Sequence, residues 1–234
     1  MRPVISEPWP STVAAAEAVQ NRLRPLLDLD DPGPATIRTA AGLDVAYEAD
    51  SDRVAAAVVV LDVATVEVVD VSVTITRSAF PYAPGFLAFR EIPPLLDALA
   101  GISTVPDLLV CDGNGLAHPR RFGLASHLGV LTGLPSIGVA KTRFVGSYDP
   151  VGDRRGDRSA LRDGDEVIGA VLRTRDRVKP VFVSVGNRMS LDNACAQTLR
   201  LCRDYRQPET TRQADHRVRE ALKGTQGVEK STAL

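Results

Sequence analysis

The sequence predicts an α/β fold in which helices flank a mixed β-sheet. Three β-branched segments separated by short gaps predict an antiparallel meander, at residues 37–47, 53–62 and 66–76. After the meander, strands alternate with helices: the apolar strand 108–111 precedes a helix over 121–131, and a strand over 136–140 follows that helix. A meander joined to such an alternation is typical of a mixed sheet covered by helices.

An amphipathic N-terminal helix is predicted over residues 12–29. Val13, Ala16 and Leu23 recur there at helical spacing within an otherwise polar segment. A linker rich in proline and glycine follows at 31–34 and separates this helix from the first strand.

The remaining elements complete the expected fold. Residues 85–89 and 94–100 have a helical pattern, and we expect the helix to be interrupted at Pro93 and Pro94, because proline removes a backbone donor. Further strands are expected at 166–173 and 180–185, and closing helices at 190–205, with Ser190 as N-cap, and at 208–223.

Composition indicates one domain over the whole chain, residues 1–234. The 234 residues, 44% of them hydrophobic, are enough to form a full core. The 28 basic and 29 acidic residues give a net charge of −1, so nucleic-acid binding would depend on local patches rather than on overall charge. The three cysteines are odd in number and lack paired spacing, which favours reduced core residues over a zinc site or a disulfide framework.

The distribution of apolar residues argues against a membrane protein. No run approaches the roughly 18 apolar residues of a membrane-spanning helix. No extended apolar patch is evident that would form a dimer interface. We therefore expect a cytoplasmic monomer without membrane contact.

Residues 148–164 are predicted to form a mobile surface loop. The segment is dense in Asp, Arg and Gly. Charges of both signs alternate along it, which indicates a solvated surface rather than a nucleic-acid contact.

The segment from Leu108 to Arg121 gives the clearest functional signal. Its apolar strand ends in Asp112-Gly113-Asn114-Gly115, and His118-Pro119-Arg120-Arg121 follows. The strand delivers a carboxylate to its own end, the glycines let a ligand approach the backbone, and arginine is a natural partner of phosphate. The pattern predicts an acidic metal site beside a nucleic-acid backbone, although Asp112 alone also fits a residue that forms a turn.

The predicted order of strands and helices resembles a ribonuclease H-like core, and two further acidic residues occur where such a core places its metal ligands. Such a core draws carboxylates from its first strand, an early helix and its fourth strand, and Asp44, Glu91 and Asp112 match that order. Asp44, between Leu43 and Val45, is costly to bury without a partner. Glu91 alone is more often a solvated helix residue.

The chain resembles the endonuclease V family, metal-dependent nucleases that act on strands containing deaminated adenine. Each matching motif is short, but six occur in the family's order across residues 41–215. The motifs are Gly42-Leu43-Asp44-Val45, the stretch from Pro81 to Glu91, Asp112-Gly113-Asn114-Gly115 through Arg121, Gly123-Leu124-Ala125-Ser126-His127, Ile137-Gly138-Val139-Ala140-Lys141 and Pro208-Glu209.

The resemblance implies a catalytic set and a metal. Asp44, Glu91 and Asp112 would be the metal carboxylates, and such oxygen ligands suit Mg²⁺, with Mn²⁺ as a substitute. Lys141 matches the family's active-site lysine, which would neutralise charge on the reacting phosphate or orient the attacking water. Asp215 occupies a position where family members have histidine or aspartate, and would supply a further metal or water contact.

The resemblance also implies how one abnormal base is recognised. Tyr82 lies between two prolines and resembles the family's strand-separating wedge, which fills the gap when a base leaves the stack. Ala83 is smaller than the residue often found there, and without the family context Tyr82 also fits ordinary loop packing. The base pocket would include Gly85, Leu87, Gly113 and Gly115, where a Cβ would occupy ligand space, and His118, Arg120 and Arg121 would hold the nucleic-acid backbone.

The implied reaction is hydrolysis of DNA on the 3′ side of a deoxyinosine, displaced by one nucleotide from it. An inosine-specific endoribonuclease stays open, because no residue is assigned to a 2′-hydroxyl. A non-catalytic binder of deaminated or branched nucleic acid is disfavoured by the three carboxylates. Asn187 occupies a position where the family usually has histidine, so we expect an altered rate or pH dependence.

Overall fold

The computed structural model describes residues 3–5 and 8–231, with side chains up to residue 223. The helices within this range are α1 (Val13–Leu23), α2 (Ala88–Gly101), α3 (Leu124–Thr132), α4 (Leu191–Leu201) and α5 (Glu209–Ser231). The strands are β1 (Thr39–Tyr47), β2 (Arg53–Asp62), β3 (Val68–Arg77), β4 (Leu108–Cys111), β5 (Ser136–Ala140), β6 (Arg158–Asp163), β7 (Glu166–Leu172) and β8 (Val181–Asn187).

The strands form one eight-stranded mixed sheet in the order β3-β2-β1-β4-β5-β8-β7-β6. β1, β4 and β5 are parallel and form its centre. β2 and β3 extend one side in antiparallel pairing, and β8, β7 and β6 extend the other in the same way. The predicted meander and the mixed sheet are confirmed.

Helices pack on both faces of the sheet. α1, α2 and α3 cover one face, where Leu43 of β1 packs with Phe89 and Leu128 in the largest core cluster. On the other face α4 packs on β7 and β8, and α5 packs on β1 and β2 through contacts such as Val59 with Val218. Because helices lie on both faces, the central strands are almost entirely apolar.

Helix α2 is continuous through Pro93 and Pro94, so the predicted interruption is wrong. Proline at position 93 removes the amide that would bond to the carbonyl of Phe89 four residues earlier. The indole Nε1 of Trp9 donates to that carbonyl at 2.7 Å and replaces the missing bond. A partner 80 positions away in the sequence therefore stabilises the helix.

Two other predicted elements differ from the structure. The N-terminal helix ends at Leu23 and continues only as a short 3₁₀ turn, Arg24–Leu26, because Pro25 has no amide hydrogen to donate to the carbonyl of Asn21 four residues earlier. The predicted loop at 148–164 contains strand β6, which pairs with β7. β6 lies at the edge of the sheet, where charged side chains are common, so its sequence resembles a loop.

Two predictions from composition concern the cysteines and the membrane. Cys111, Cys195 and Cys202 are free and buried, as expected. No helix among residues 3–5 and 8–231 is both long and apolar enough to cross a membrane.

Candidate active site

Asp44 and Asp112 lie beside each other on two parallel strands. β1 and β4 pair with Leu43 opposite Cys111, so the next residue on each strand is the carboxylate. The amide of Asp112 donates to the carbonyl of Leu43 at 3.4 Å and extends this pairing by one step. The register of the sheet thus brings together two residues that are 68 positions apart.

Glu91 reaches the same place from the first turn of α2. Its side chain is buried, and the hydroxyl of Tyr47 donates to its Oε1 at 3.5 Å. The guanidinium of Arg90 lies 4.9 Å from the centre of the Tyr47 ring. Tyr47 therefore helps to position Glu91, a contact that the sequence did not predict because no motif marks an aromatic residue at the end of β1.

Lys141 follows β5, which is parallel to β4. Its Nζ lies 2.5 Å from Oδ2 of Asp112. The guanidinium of Arg206 donates to the backbone carbonyl of Lys141 at 2.6 Å and to that of Pro180 at 2.8 Å. The segment between α4 and α5 therefore fixes the backbone of Lys141.

Asp215 is brought near the carboxylates by the close packing of α5 on β1. A Cβ on Gly42 would lie 2.1 Å from the carbonyl oxygen of Thr210, which explains a glycine two residues before Asp44. Both carboxylate oxygens of Asp215 accept a hydrogen bond from Nε of Arg219, each at 2.9 Å. Its negative charge contributes to the raised pKa of Asp44, so the two groups interact.

Burial and mutual repulsion change the acidity of this cluster. Burial raises the pKa of Asp44 to about 7, and the charges of Asp112 and Asp215 add to the effect. Burial raises the pKa of Glu91 to about 8, with further contributions from Asp44 and Asp112. Burial lowers the pKa of Lys141, but the hydrogen bond to Asp112 and the negative charges of Asp112, Asp44 and Asp215 together outweigh that effect and hold the pKa above its ordinary value. The acidic groups therefore repel one another despite the lysine.

These residues have the chemistry of a site for a hard divalent cation. All the candidate ligands are carboxylate oxygens, which Mg²⁺ and Mn²⁺ prefer. Among the described residues, no three His, Cys, Asp or Glu side chains are already placed to ligate one ion, and Asp112 contacts Lys141 instead. Burial and mutual repulsion raise the pKa values of Asp44 and Glu91, and a cation would offset both effects, so the donor set fits a divalent metal once its side chains reorient.

A cavity of about 350 Å³ opens beside the carboxylates. Its lining combines acidic and basic groups with glycine backbone and apolar side chains. The side chain of Tyr82, in this lining, is 72% exposed. Of the predicted site residues, Tyr82, Gly85, Leu87, Glu91, Asp112, Gly113, His118 and Lys141 line the cavity.

Residues 142–144 also line the cavity and were missed. The ring of Phe144 lies 5.6 Å from the ring of His118, and the guanidinium of Arg143 lies 6.0 Å from the ring of Tyr148. The sequence of this segment is typical of an ordinary loop, and only its position directly after Lys141 indicates a role in the site.

The family model Endonuclease V matches residues 21–216 of this sequence. The chain belongs to the endonuclease V family. An endonuclease V from Streptomyces coelicolor is 56% identical over 216 residues, which cover 92% of this chain and 93% of that protein. Membership of this family makes the protein a nuclease.

Solved structures of endonuclease V have the same fold. The crystal structure from Streptomyces avermitilis is 54% identical, covers 95% of this chain and 98% of its own, and matches with a TM-score of 0.90. The Ciona intestinalis endonuclease V, in complex with a 24mer DNA containing an inosine followed by a ribo-adenosine, is 28% identical. It matches with a TM-score of 0.80 and covers 91% of this chain and 98% of its own. The predicted ribonuclease H-like fold is confirmed.

Three residues that the endonuclease V resemblance assigned to phosphate contacts bond within the protein instead. His118 contacts the carbonyl of Gly85 through Nε2 at 3.0 Å and accepts from the amide of Arg120 at Nδ1. Burial lowers its pKa to about 4, so it is neutral at pH 7. Arg120 donates to Gly85, and Arg121 forms ion pairs with Glu166 at 2.7 Å and with Asp163 at 2.8 Å. In this conformation their bonds order the protein around the cavity.

Two other residues of the family pattern have structural surroundings. A Cβ on Gly115 would lie 2.0 Å from the carbonyl oxygen of Val185, so packing against β8 requires this glycine. Asn187 is buried, pairs with Ser136 at the start of β5, and accepts from the amide of Asp28 at 2.9 Å. Lys141 follows the other end of β5, so Asn187 lies away from the active-site lysine.

Proposed function

We propose that this protein is a divalent-metal-dependent endonuclease that hydrolyses DNA on the 3′ side of a deoxyinosine, displaced by one nucleotide. The observation that supports this most strongly is a single cavity with two kinds of lining. Glu91, Asp112 and Lys141 contribute charged groups to it, and the loop from Tyr82 to Leu87 contributes backbone and exposed side chains. A nucleic-acid strand bound there would meet both sets of groups.

Recognition of a displaced base fits the size and shape of the cavity. At about 350 Å³ it lies at the small end of the range for ligand sites. A base inside a duplex must leave the stack to enter such a pocket, and an aromatic side chain can fill the gap it leaves. Tyr82 is exposed and lies in a loop that contains Pro81 and Pro84, whose φ angles are fixed, so we propose it as the wedge. The inosine in the DNA bound by the Ciona relative supports hypoxanthine as the base.

The carboxylates and the lysine would have different roles in the reaction. Asp44, Glu91 and Asp112 would hold Mg²⁺, or Mn²⁺ in its place, which supplies an activated water and a polarised phosphate when bound. The ammonium of Lys141, held at the backbone by Arg206, would stabilise negative charge as it develops on the phosphate oxygens. Asp215, oriented by Arg219, would accept a hydrogen bond from the attacking water.

RNA is a second candidate substrate. The DNA in the Ciona complex has a ribo-adenosine directly after its inosine, so that relative was studied with a 2′-hydroxyl at this position. Single-turnover rates on matched deoxyinosine and inosine oligonucleotides decide which substrate this chain prefers.

The test of the proposal is cleavage of a labelled duplex with one deoxyinosine, beside the same duplex with adenine. Glu91→Gln removes one proposed ligand, and Asp97→Asn on the exposed side of the same helix is the matched control. We expect wild type and Asp97→Asn to cut the second phosphodiester 3′ to deoxyinosine, and Glu91→Gln to be at least about 100-fold slower. Equal cleavage of both duplexes contradicts base selectivity, and lesion binding without cleavage would establish the non-catalytic alternative.

A further inference from the structure

We propose that Gln20, on the N-terminal helix α1, is a positioning residue that sets the affinity for the displaced base by fixing the loop around Gly85. The inference rests on the proposed function, which supplies the substrate. Its geometry comes from the contacts of Gln20. Gln20 does not line the cavity, and its role is exerted through the backbone that does.

The carbonyl oxygen of Gly85 is the centre of the network. It lies within hydrogen-bond distance of Nε2 of Gln20 at 3.1 Å, Nε2 of His118 at 3.0 Å and Nη2 of Arg120 at 2.7 Å. A carbonyl oxygen has two lone pairs, so three donors use its capacity fully. Gly85 therefore anchors its loop, and a bound base has to be read by other backbone groups of the cavity.

Gln20 joins the parts of this network to one another. Its side-chain oxygen accepts from Nε of Arg120 at 2.5 Å, and its Nε2 is also 3.4 Å from the carbonyl of Phe122. Only 1% of the residue is exposed. A buried glutamine is uncommon unless its amide is satisfied, and here both of its ends are bonded. One side chain of α1 thus ties the loop of Gly85 to the segment after β4.

The anchored loop carries groups that shape the cavity. Gly85 has a φ of +80°, a left-handed conformation that other residues adopt at a cost. Tyr82 precedes it by three residues and Leu87 follows it by two, and both line the cavity. Asp44, Asp112 and Lys141 are placed by the central strands β1, β4 and β5 and not by this loop. Loss of the Gln20 amide should therefore affect base binding more than the reaction at the carboxylates.

The experiment uses Gln20→Met and Gln20→Glu in the full chain. Gln20→Met removes both the donor and the acceptor at similar size. Gln20→Glu keeps an acceptor for Arg120 and removes the donor to Gly85, so it decides the question if the methionine variant fails to fold. Gln197→Met is the matched control, since Gln197 is a buried glutamine that also contacts an arginine, Arg200, but on α4.

Two measurements distinguish the inference from the proposed function. Hydrogen exchange reports the loop directly, because the amides of Phe86, Phe89 and Arg90 donate to the carbonyls of Ala83, Phe86 and Leu87 in it. We expect exchange there to accelerate about tenfold or more in both Gln20 variants and to be unchanged in Gln197→Met. Unchanged exchange in a folded Gln20 variant overturns the inference whether or not the wild-type protein cleaves deoxyinosine.

Kinetics then test the effect on substrate. We expect KM for the deoxyinosine duplex to rise about tenfold in the Gln20 variants, with kcat within about threefold of wild type. A fall in kcat with KM unchanged contradicts a role in base positioning. If wild type shows no preference for deoxyinosine, the proposed function fails, and the exchange result still decides the role of Gln20.

Discussion

The ammonium of Lys141 lies 2.5 Å from a carboxylate oxygen of Asp112, across the parallel strands β5 and β4. This ion pair joins the two kinds of group that phosphodiester hydrolysis needs, an anionic ligand set and a cation for the developing charge. Neither residue lies within a helix, and both follow buried strands directly. The geometry of the sheet therefore determines their distance.

Removal of the lysine charge should affect the rate more than substrate binding. We expect Lys141→Met to lower kcat on a deoxyinosine duplex by about 100-fold or more, with KM within a few-fold, because the ammonium acts on charge that develops in the transition state. Single-turnover cleavage and a binding titration measure the two effects. A variant that cuts at the wild-type rate would show that the pair with Asp112 is structural only.

Arg206 should influence the rate through the backbone of Lys141. Its guanidinium donates to the carbonyls of Lys141, Lys179 and Pro180, which one ammonium cannot reach together. We expect Arg206→Lys to lower kcat about tenfold. Arg203→Lys is the control, since Arg203 contacts the carbonyls of residues 63–65 in the turn after β2. Equal losses in both variants, in step with thermal stability, would indicate general destabilisation.

The raised pKa values predict how stability depends on pH without metal. Asp44 and Glu91 titrate at about 7 and about 8 in the folded state, against 3.8 and 4.5 ordinarily. Between these values the folded protein therefore binds more protons than the unfolded chain. Proton binding stabilises the folded state at low pH, and this stabilisation is lost as the pH rises through about 8.

Urea unfolding with a chelator and with Mg²⁺ measures this effect. We expect the free energy of unfolding without metal to fall from about pH 5 to about pH 8.5, and Mg²⁺ to stabilise most at the upper end, where protons no longer compete. The double variant Asp44→Asn with Glu91→Gln should lose most of both effects. If the double variant keeps the pH dependence of the free energy of unfolding, that dependence comes from other groups.

His127 should limit stability in acid. It is fully buried beside Trp9 and Phe122, and neither ring nitrogen has a hydrogen-bond partner among the described residues. Burial lowers its pKa from 6.5 to about 3, so stability is lost as the pH falls below 6.5 toward 3. We expect His127→Phe to lose less stability in acid than wild type, measured by urea unfolding, whereas exposed His216→Ala should follow wild type. Parallel curves for all three proteins would contradict this account.

The sequence marked Asp112 through a local feature, because this carboxylate directly follows an apolar strand. Asp44 lies within another strand, and its place beside Asp112 depends on the parallel pairing of β1 with β4, which only the resemblance to a ribonuclease H-like core suggested. The carboxylate Glu91 required the family resemblance, since an acidic residue in the first turn of a helix has an ordinary explanation. Lys141 required it for the same reason.

The contacts that the sequence did not reveal join distant segments. Gln20 is 65 positions from Gly85 and 100 from Arg120, and Trp9 is 80 from Phe89. No local pattern marks such pairs, because each residue is ordinary within its own segment. The ion pairs of Arg121 were not predicted for a related reason, since its acidic partners belong to the hairpin formed by β6 and β7.

We propose that Asp44, Glu91 and Asp112 together bind the divalent cation that cleavage requires. The most direct test is a crystal of the full chain soaked in Mn²⁺, with the ion located by its anomalous scattering. We predict a Mn²⁺ peak ligated by oxygens of these three residues, and its loss in Asp112→Asn. A peak that involves none of the three, or one that is undiminished in Asp112→Asn, would contradict the account.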